Sequence, residues 1–170
     1  MAEIRTVGIV GAGQMGNGIA HVFALAGYDV LLNDIAQDSL DKAIALIDRN
    51  IERQVARGKV TAEKKAEVLA RITATTDYAA LKGTDLIVEA VFEDMAVKKD
   101  VFAKLDAVAR PGAILASNTS RLDIDEIARA TSRPAVVVGL HCFSPANVMR
   151  LLEVVRGRDT APDVIATSMA

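Results

Sequence analysis

The sequence predicts an α/β fold in which a mainly parallel sheet is doubly wound, with helices on both of its faces. Short apolar runs alternate along the chain with amphipathic helical segments, and strands connected in this way run parallel. The first apolar run ends in a glycine-rich turn, which is typical of the start of such a sheet. The length of 170 residues is sufficient for one domain with a sizeable core, or for one domain and part of another.

The first half of the chain is predicted to contain three strands and three helices. The strands are apolar runs at residues 6–10, 29–33 and 72–75. A helix begins at Met15, with apolar residues at spacings of three and four, and Gly27 is placed to end it. Two further helices, from 39 to 57 and from Thr61 to 71, form a helical excursion at 39–71. This excursion is longer than a crossover between parallel strands needs, so we expect it to project from the sheet.

The second half continues the alternation. Four strands and three helices are predicted, with the strands at 85–91, 113–117, 135–140 and 151–155 and the first helix at 95–110. Asp123 is placed to begin a short helix, because a carboxylate at this position accepts hydrogen bonds from free backbone N–H groups. Thr160 and Pro162 are the expected cap and first turn of a last helix, in which the chain ends at Ala170.

Composition and charge exclude several classes of function. The 51% hydrophobic content excludes a disordered chain. Lysine and arginine number 20 against 22 aspartates and glutamates, so no generally basic surface is expected to bind nucleic acid. The single cysteine, Cys142, cannot form an internal disulfide or a cysteine-rich metal site, so we expect no metal. We find no signal peptide and no apolar run of membrane-spanning length, so we expect a cytoplasmic protein without membrane attachment.

The glycine-rich turn has the spacing of a dinucleotide-binding site. The pattern G-x-G-x-x-G is matched by Gly11-Ala12-Gly13-Gln14-Met15-Gly16, which follows a predicted strand and opens a helix. The first glycine allows the tight turn, the second lets the backbone approach a pyrophosphate, and the third lets the helix lie close to the sheet. Asp34, after the second strand, is placed to accept hydrogen bonds from the adenosine ribose and to repel a 2′-phosphate. Together these features predict a Rossmann-type domain that binds NAD rather than NADP.

A histidine and a glutamate near the end of the chain are candidates for acid–base catalysis. Ligands of such sheets bind beyond the carboxyl ends of the strands, where His141 is expected. Imidazole titrates near neutral pH, so His141 is the natural base for an alcohol that loses hydride to a nicotinamide. Glu153 can orient this imidazole if the two strands are neighbours. The alternatives are a structural His141 and a Glu153 that pairs with Arg150 or Arg156. The other histidine, His21, falls off the apolar face of its helix and is expected at the surface.

Several motifs follow one another in a specific order along the chain. They are Gly11–Ala20, Asn33-Asp34, Val88–Asp94, Ser117–Ser120, Gly139–Pro145 and Met149–Val155. In this order they resemble the 3-hydroxyacyl-CoA dehydrogenase family, which includes the bacterial 3-hydroxybutyryl-CoA dehydrogenases. The resemblance covers nearly all of the chain, and the motifs are specific together although each is weak alone. It identifies residues 1–170 with the NAD-binding, N-terminal domain of that family.

The resemblance implies a role for each candidate site residue. His141 is implied to be the catalytic base and Glu153 its orienting carboxylate, while Ser120 binds the 3-hydroxyl or carbonyl oxygen of the substrate. The residues implied to contact NAD are Gly11, Gly13, Gln14, Met15, Gly16, Asp34, Glu93, Lys98, Asn118, Ser120 and Ser144. Arg57 and Lys59 are implied to lie near the phosphates of coenzyme A, with solvated charges at a helix end as the alternative.

The implied activity is the NAD-dependent oxidation of an (S)-3-hydroxyacyl-CoA, such as 3-hydroxybutyryl-CoA, to the 3-ketoacyl-CoA, and the reverse. The implied setting is β-oxidation and butanoate metabolism. The chain departs from the family pattern at Ser144, where many members have an asparagine that contacts the cofactor. Members also continue into an all-helical C-terminal domain that supplies a catalytic asparagine and most of a homodimer interface. This chain ends at Ala170, so the alternative function is an isolated NAD-binding module with little or no turnover.

Overall fold

Seven strands form one sheet in the computed structural model, which describes residues 3–170. The strands are β1 (Thr6–Val10), β2 (Asp29–Asn33), β3 (Ile72–Thr75), β4 (Leu86–Glu89), β5 (Ile114–Ser117), β6 (Val137–Cys142) and β7 (Leu152–Val155). They lie in the order β3-β2-β1-β4-β5-β6-β7. Neighbours from β3 to β6 are parallel, and β7 runs antiparallel to β6. The predicted Rossmann-type, mainly parallel sheet is confirmed.

Helices cover both faces of this sheet. They are α1 (Gln14–Leu25), α2 (Gln37–Ala56), α3 (Ala62–Ala70), α4 (Met95–Val108), α5 (Ile124–Ala128) and α6 (Pro162–Met169). The two faces are visible within β1, because Ile9 belongs to one buried cluster with Ile19 of α1, whereas Val10 belongs to another with Phe102 of α4. Within residues 3–170, none of these helices combines the length and the apolar character that a membrane crossing requires.

The helical excursion after β2 is present as α2 and α3. Thr61 caps α3, since its side-chain oxygen accepts a hydrogen bond from the N–H of Lys64. The expectation that the excursion projects from the sheet is wrong for much of α2. Leu40 and Ile51 are fully buried in the same cluster as Ile9 of β1, so this stretch of α2 is part of the core.

Several local features differ from what the sequence predicts. β6 extends to Cys142, so His141 lies within the strand rather than beyond it, because the pairing with β7 keeps the chain extended. A 3₁₀ segment at Tyr78–Gly83 was not predicted. Thr160 does not cap α6, because its hydroxyl donates to the carbonyl of Val137 at 2.7 Å and Ala161 takes the cap position.

The carboxyl ends of the parallel strands meet at one edge of the sheet. Gly11, Asp34, Ala90 and Asn118 directly follow β1, β2, β4 and β5 at this edge. Because β7 runs in the opposite direction, its first residues lie at the same edge, and this direction places Glu153 there. The fold therefore gathers the predicted site residues at the edge where ligands of such sheets bind.

Candidate active site

The turn after β1 leaves open space at the amino end of α1. Gly11 has φ +104°, a conformation that glycine adopts without strain, and its N–H donates to the carbonyl of Asn33 at 2.8 Å. A Cβ atom at Gly16 would lie 1.6 Å from the carbonyl oxygen of Gly11, so α1 lies directly on the turn. A Cβ atom at Gly13 would meet no atom of the described chain within 4 Å. Gly13 thus faces open space at a helix N-terminus, as a site for phosphate requires.

The carboxylate of Asp34 lies against the backbone of this turn. Its Oδ2 accepts a hydrogen bond from the N–H of Ala12 at 2.9 Å, and its Oδ1 accepts one from the N–H of Ala36 at 3.0 Å. Each carboxylate oxygen has two acceptor positions, so capacity remains for hydroxyl groups of a ligand. Asp34 lines a cavity of about 390 Å³ together with Gly11 and Gly13. The geometry suits a ribose held between the turn and the carboxylate.

Two large apolar side chains stand at this cavity with almost no protein around them. Ile35 is 86% exposed and Phe92 is 81% exposed, and both line the cavity, as do Tyr78 and Val97. Large exposed apolar groups beside a cavity mark a binding surface, and a flat aromatic ring such as a purine fits against them. These residues were not predicted to belong to the site, because a single apolar residue after a strand gives no indication of binding until its exposure is known.

Glu93 holds the loop that contains Ser120. The hydroxyl of Thr119 donates to Glu93 Oε1, and the N–H and hydroxyl of Ser120 donate to Oε2 at 3.2 and 3.3 Å. Burial alone would raise the pKa of Glu93, but these hydrogen bonds and the positive charge of Lys98 outweigh it and lower the pKa below its usual value. Glu93 is therefore ionised at neutral pH, and Ser120 is positioned by it.

Lys98 lies beneath the β4 loop, where it is 2% exposed. Its Nζ is 2.5 Å from Oε2 of Glu89, a fully buried carboxylate at the end of β4. Glu89 lies inside one of the motifs singled out above, yet its role in the site was not predicted. The ammonium group of Lys98 is therefore buried and has the carboxylate of Glu89 as a partner.

The imidazole of His141 and the carboxylate of Glu153 lie side by side at the edge of the sheet. The two residues are directly opposite in the antiparallel pair of β6 and β7, and Nδ1 lies 3.2 Å from Oε2. The His141 side chain is 17% exposed, whereas that of Glu153 is 53% exposed. The ring of Phe143 lies 4.5 Å from the imidazole, measured between centroids, and limits its movement. The structure therefore brings the two candidate catalytic residues into contact.

Hydrogen bonds connect this pair of strands to the glycine turn. The side-chain oxygen of Asn118 accepts from the N–H of Cys142 at 2.8 Å, which joins the loop after β5 to the end of β6. The side-chain N–H of Gln14 donates to the hydroxyl of Ser144 at 3.2 Å, and Met15 lies half-buried in the same first turn of α1. Ser144 thus contacts the predicted cofactor turn directly.

Arg57 and Lys59 line a second, polar cavity of about 430 Å³. Arg53 and Arg150 line it as well, so four cationic side chains surround one space. Part of the wall is the segment from Pro145 to Arg150, which follows β6 and so begins four residues after His141. The two additional arginines were not predicted to share this site, because they are far apart in the chain and meet through the fold.

His21 does not lie at the surface, which corrects the expectation from its position on α1. It is 1% exposed, and its Nε2 lies 3.1 Å from the side-chain oxygen of Gln54 on α2. Its Nδ1 is buried and has no hydrogen-bond partner within residues 3–170. The prediction was wrong because α2 covers the polar side of α1 at this point.

Comparison with known proteins gives the same assignment over almost the whole chain. A family model described as "3-hydroxyacyl-CoA dehydrogenase, NAD binding domain" matches residues 6–170. A relative named 3-hydroxybutyryl-CoA dehydrogenase, from Clostridioides difficile, is 46% identical over 153 residues, or 90% of this chain. A relative from Escherichia coli, named 3-hydroxyadipyl-CoA dehydrogenase, is 44% identical over 97% of this chain.

Solved structures match equally well. The crystal structure of 3-hydroxybutyryl-CoA dehydrogenase from Escherichia coli superimposes with a TM-score of 0.96 and 43% identity, over 98% of this chain. The chain spans about half of the Clostridioides difficile relative, 54%, and 35% of each of the two Escherichia coli chains.

Proposed function

Because the chain belongs to the 3-hydroxyacyl-CoA dehydrogenase family, as its NAD-binding domain, we propose that the protein interconverts (S)-3-hydroxyacyl-CoA and 3-ketoacyl-CoA. The observation that carries this proposal is the contact between His141 and Glu153 at the edge of the sheet where the cofactor turn also lies. The relatives' names include a hydroxybutyryl and a hydroxyadipyl substrate, and we propose a short acyl group such as 3-hydroxybutyryl for this protein.

The residues present fit NAD. Gly13 faces open space at the amino end of α1, and Asp34 retains acceptor capacity beside the cavity, while its charge disfavours a 2′-phosphate. Ile35 and Phe92 offer apolar surface for the adenine ring. Bound NAD supplies the acceptor for the hydride that leaves the substrate carbon. Gln14 begins α1, and Glu93, Asn118 and Ser144 lie in the segments that follow β4, β5 and β6, at the same edge of the sheet as His141. We assign the cofactor's other half to these residues.

His141 is proposed to take the hydroxyl proton during oxidation. With Nδ1 against Glu153, the neutral ring carries its hydrogen on Nδ1 and presents the Nε2 lone pair to the substrate. The carboxylate of Glu153 stabilises the imidazolium that forms. In the reverse direction the same imidazolium returns the proton to the carbonyl oxygen. Ser120, held by Glu93, is proposed to donate a hydrogen bond to that oxygen.

The basic cavity is proposed to hold the phosphates of coenzyme A. Arg57 and Lys59 stand in it with Arg53 and Arg150, and four cations match the charge of a pyrophosphate and a further phosphate group. Since Pro145 and Arg150 lie on the segment that follows β6, the cavity is connected to the strand of His141. We propose that the thioester chain leaves this cavity along that segment toward His141.

The wider context is also proposed. We place the reaction in β-oxidation and butanoate metabolism, and we propose a cytoplasmic enzyme, which the single free thiol of Cys142 supports. For the whole protein we propose a homodimer, as the family resemblance implies. The alternative of a binding module without turnover is not favoured, because both curated relatives described above are named as dehydrogenases.

The test combines binding and turnover. NADH binding is measured by calorimetry, and the reduction of acetoacetyl-CoA is measured through the loss of NADH absorbance. We expect His141→Ala to retain NADH binding and to lose turnover by about 10²–10⁴-fold, the contribution typical of a general acid–base. Binding without turnover in the parent protein would support the module alternative, and full activity in His141→Ala would exclude His141 as the base.

A further inference from the structure

His21 is a buried titratable residue that the proposed reaction does not use. It lies on α1 and contacts α2, where its Nε2 is 3.1 Å from Oε1 of Gln54. Burial lowers the pKa of His21, and the hydrogen bond to Gln54 opposes this only in part, so the ring is neutral at pH 7. A neutral imidazole carries its hydrogen on one of its two nitrogens, and this choice determines how the ring binds Gln54.

The surroundings of the other ring nitrogen determine which nitrogen carries the hydrogen. Nδ1 of His21 is buried and has no hydrogen-bond partner within residues 3–170. A hydrogen on Nδ1 would be a buried donor without an acceptor, and such donors are rarer in folded proteins than acceptors with an unused lone pair. The hydrogen is therefore on Nε2, which donates it to Oε1 of Gln54.

This hydrogen bond orients the side-chain amide of Gln54. With Oε1 turned toward the imidazole, the NH2 group points away from it with both of its hydrogens free. Among residues 3–170 this NH2 group has no acceptor, and its nitrogen is not buried. Gln54 lines the cationic cavity, which is the space of about 430 Å³ that Arg53, Arg57, Lys59 and Arg150 surround. The amide thus provides a neutral donor beside four cations.

A second cavity also borders Gln54, but it does not suit the NH2 group. It lies between α1 and the chain after β6, and apolar side chains such as Ile19, Val22 and Leu152 line much of it. An N–H donor gains no hydrogen bond from apolar neighbours. The cationic cavity is therefore the place where this donor meets an acceptor, namely an oxygen of the anion that the cations attract.

The amide differs from the four cations in how far it is ordered before a ligand binds. The cations all belong to exposed residues, and ordering a long exposed side chain on binding costs free energy. Gln54 is half-buried, and the imidazole of His21 already holds one end of its amide. A donor that is held in this way favours a ligand oxygen at one position, whereas exposed charges attract an anion with less geometric selectivity.

We propose that the NH2 group of Gln54 donates a hydrogen bond to a phosphate oxygen of the acyl-CoA substrate, and that His21 is the positioning residue that holds this amide. The buried pair then contributes to substrate recognition as well as to the contact between α1 and α2. The inference rests on the proposed function, because it presumes that the cationic cavity holds the phosphates of coenzyme A.

Leucine substitutions remove the two parts of this arrangement separately. Gln54→Leu removes the donor and is expected to raise the KM for acetoacetyl-CoA about tenfold, the effect of losing one hydrogen bond to a charged group. His21→Leu leaves the amide present but unheld, and the expected rise is about threefold, the effect of ordering one side chain on binding. The double variant H21L/Q54L is expected to match Gln54→Leu, because His21 acts only through Gln54. In all three variants kcat is expected to stay unchanged, since the phosphates are remote from the reacting carbon.

Two comparisons separate positioning from a purely structural contact. His21→Gln keeps a side-chain N–H that can donate to Oε1 of Gln54, so its KM for acetoacetyl-CoA is expected to stay near the parent value. Acetoacetyl-pantetheine carries the same thioester without any phosphate, and its KM is expected to be equal in the parent and in every variant. Gln37→Leu is the matched control, since it makes the same replacement at the exposed start of α2, where Gln37 donates to Asp41.

Circular dichroism establishes that each variant is folded at the temperature of the assay. If Gln54→Leu alone does not fold, the double variant, which removes both polar partners, provides the same test. The proposal is overturned if the leucine variants keep the parent's KM for acetoacetyl-CoA, or if they raise the KM for acetoacetyl-pantetheine by the same factor. In either case turnover by the parent leaves the proposed function standing. A parent that reduces neither substrate defeats the proposed function, and this inference with it.

Discussion

His141 and Glu153 face each other across β6 and β7, with the imidazole Nδ1 3.2 Å from the carboxylate Oε2. The register of a paired strand sets this contact, so the geometry does not depend on a mobile loop. A carboxylate on one ring nitrogen leaves the other free to accept a proton, which is the arrangement that oxidation of an alcohol needs. The exposure of Glu153 also means that its replacement costs the fold little.

Replacement of Glu153 by Gln is expected to lower kcat about 10²-fold, because an amide neither stabilises imidazolium nor selects the tautomer with hydrogen on Nδ1. The KM for NADH is expected to stay within about twofold of the parent value, since no cofactor residue is changed. Steady-state kinetics in both directions measure this split. Glu126→Gln, a half-exposed glutamate paired with Lys99 away from the site, is the matched control. An unchanged kcat in Glu153→Gln would remove Glu153 from the mechanism.

Gly13 and Gly16 are expected to respond differently to the same added methyl group. In Gly16→Ala the new Cβ would lie 1.6 Å from the carbonyl oxygen of Gly11, so we expect a loss of stability of about 1–3 kcal/mol as α1 is displaced. In Gly13→Ala the Cβ meets no described protein atom within 4 Å, so stability is expected to change by less than about 1 kcal/mol. NADH affinity is expected to fall in both variants. In Gly13→Ala the added methyl group would occupy the space for the pyrophosphate, and in Gly16→Ala the displaced helix would move its N–H groups away from it.

Chemical denaturation and NADH titration of the two glycine variants test this contrast. If Gly13→Ala bound NADH normally, the open space beside Gly13 would have another purpose. If Gly13→Ala unfolded as readily as Gly16→Ala, the backbone conformation rather than the space for a ligand would explain why residue 13 is glycine.

The sequence predicted this site best where adjacent parts of the chain together form the binding motif. The glycine turn and Asp34 depend on a strand, a turn and a helix that are adjacent in the chain, and each was placed correctly. The His141–Glu153 contact required two strands to be neighbours, and the short connection between them made that expectation reasonable. These features could be predicted because they depend on residues that lie close together along the chain.

Features that depend on packing between distant segments were not predictable in this way. His21 contacts Gln54, and Arg53 shares a cavity with Arg150, although nothing in either sequence neighbourhood marks the partner. The pairing of Lys98 with Glu89 depends on how the first turn of α4 packs over the end of β4. Such contacts depend on the angles at which helices lie on the sheet, which hydrophobic patterning leaves undetermined.

The cationic cavity gives a prediction that concerns the substrate alone. The double variant Arg57→Gln/Lys59→Gln is expected to raise the KM for acetoacetyl-CoA about tenfold and to leave kcat unchanged, because charges remote from the reacting carbon contribute uniform binding. The KM for NADH is expected to stay the same, since neither residue lines the cavity beside Asp34.

Salt and a matched variant provide the controls for that prediction. The KM of the parent for acetoacetyl-CoA is expected to rise with ionic strength, and that of the double variant to rise less, because exposed charges are screened. Lys64→Gln, which changes a half-exposed lysine of α3 paired with Glu67, should behave as the parent does. If the double variant had the parent's KM, the alternative that Arg57 and Lys59 are solvated charges at a helix end would be supported.

The buried imidazole of His21 predicts how stability depends on pH. Burial disfavours the charged ring and lowers the pKa of His21, and the hydrogen bond to Gln54 opposes this only in part. An unfolded histidine has a pKa of about 6.5, so between that value and the lower folded one the unfolded chain binds a proton that the native chain does not. The contribution of His21 to stability is therefore complete above about pH 7 and decreases as the pH falls through 6.5 toward the folded pKa.

Replacement of His21 by Gln is expected to remove this part of the pH dependence. A single group contributes at most about 1.4 kcal/mol per pH unit, and the parent is expected to lose stability relative to the variant as the pH falls below about 6.5. Urea denaturation of both proteins at several values between pH 7.5 and 5 measures the difference, in which the shared contribution of the carboxylates cancels. The chain has two histidines, so His141→Gln is the natural control and should retain the parent's slope from His21. Equal slopes in the parent and His21→Gln would mean that the buried ring accepts a proton as readily as it does in water, contrary to its enclosure between α1 and α2.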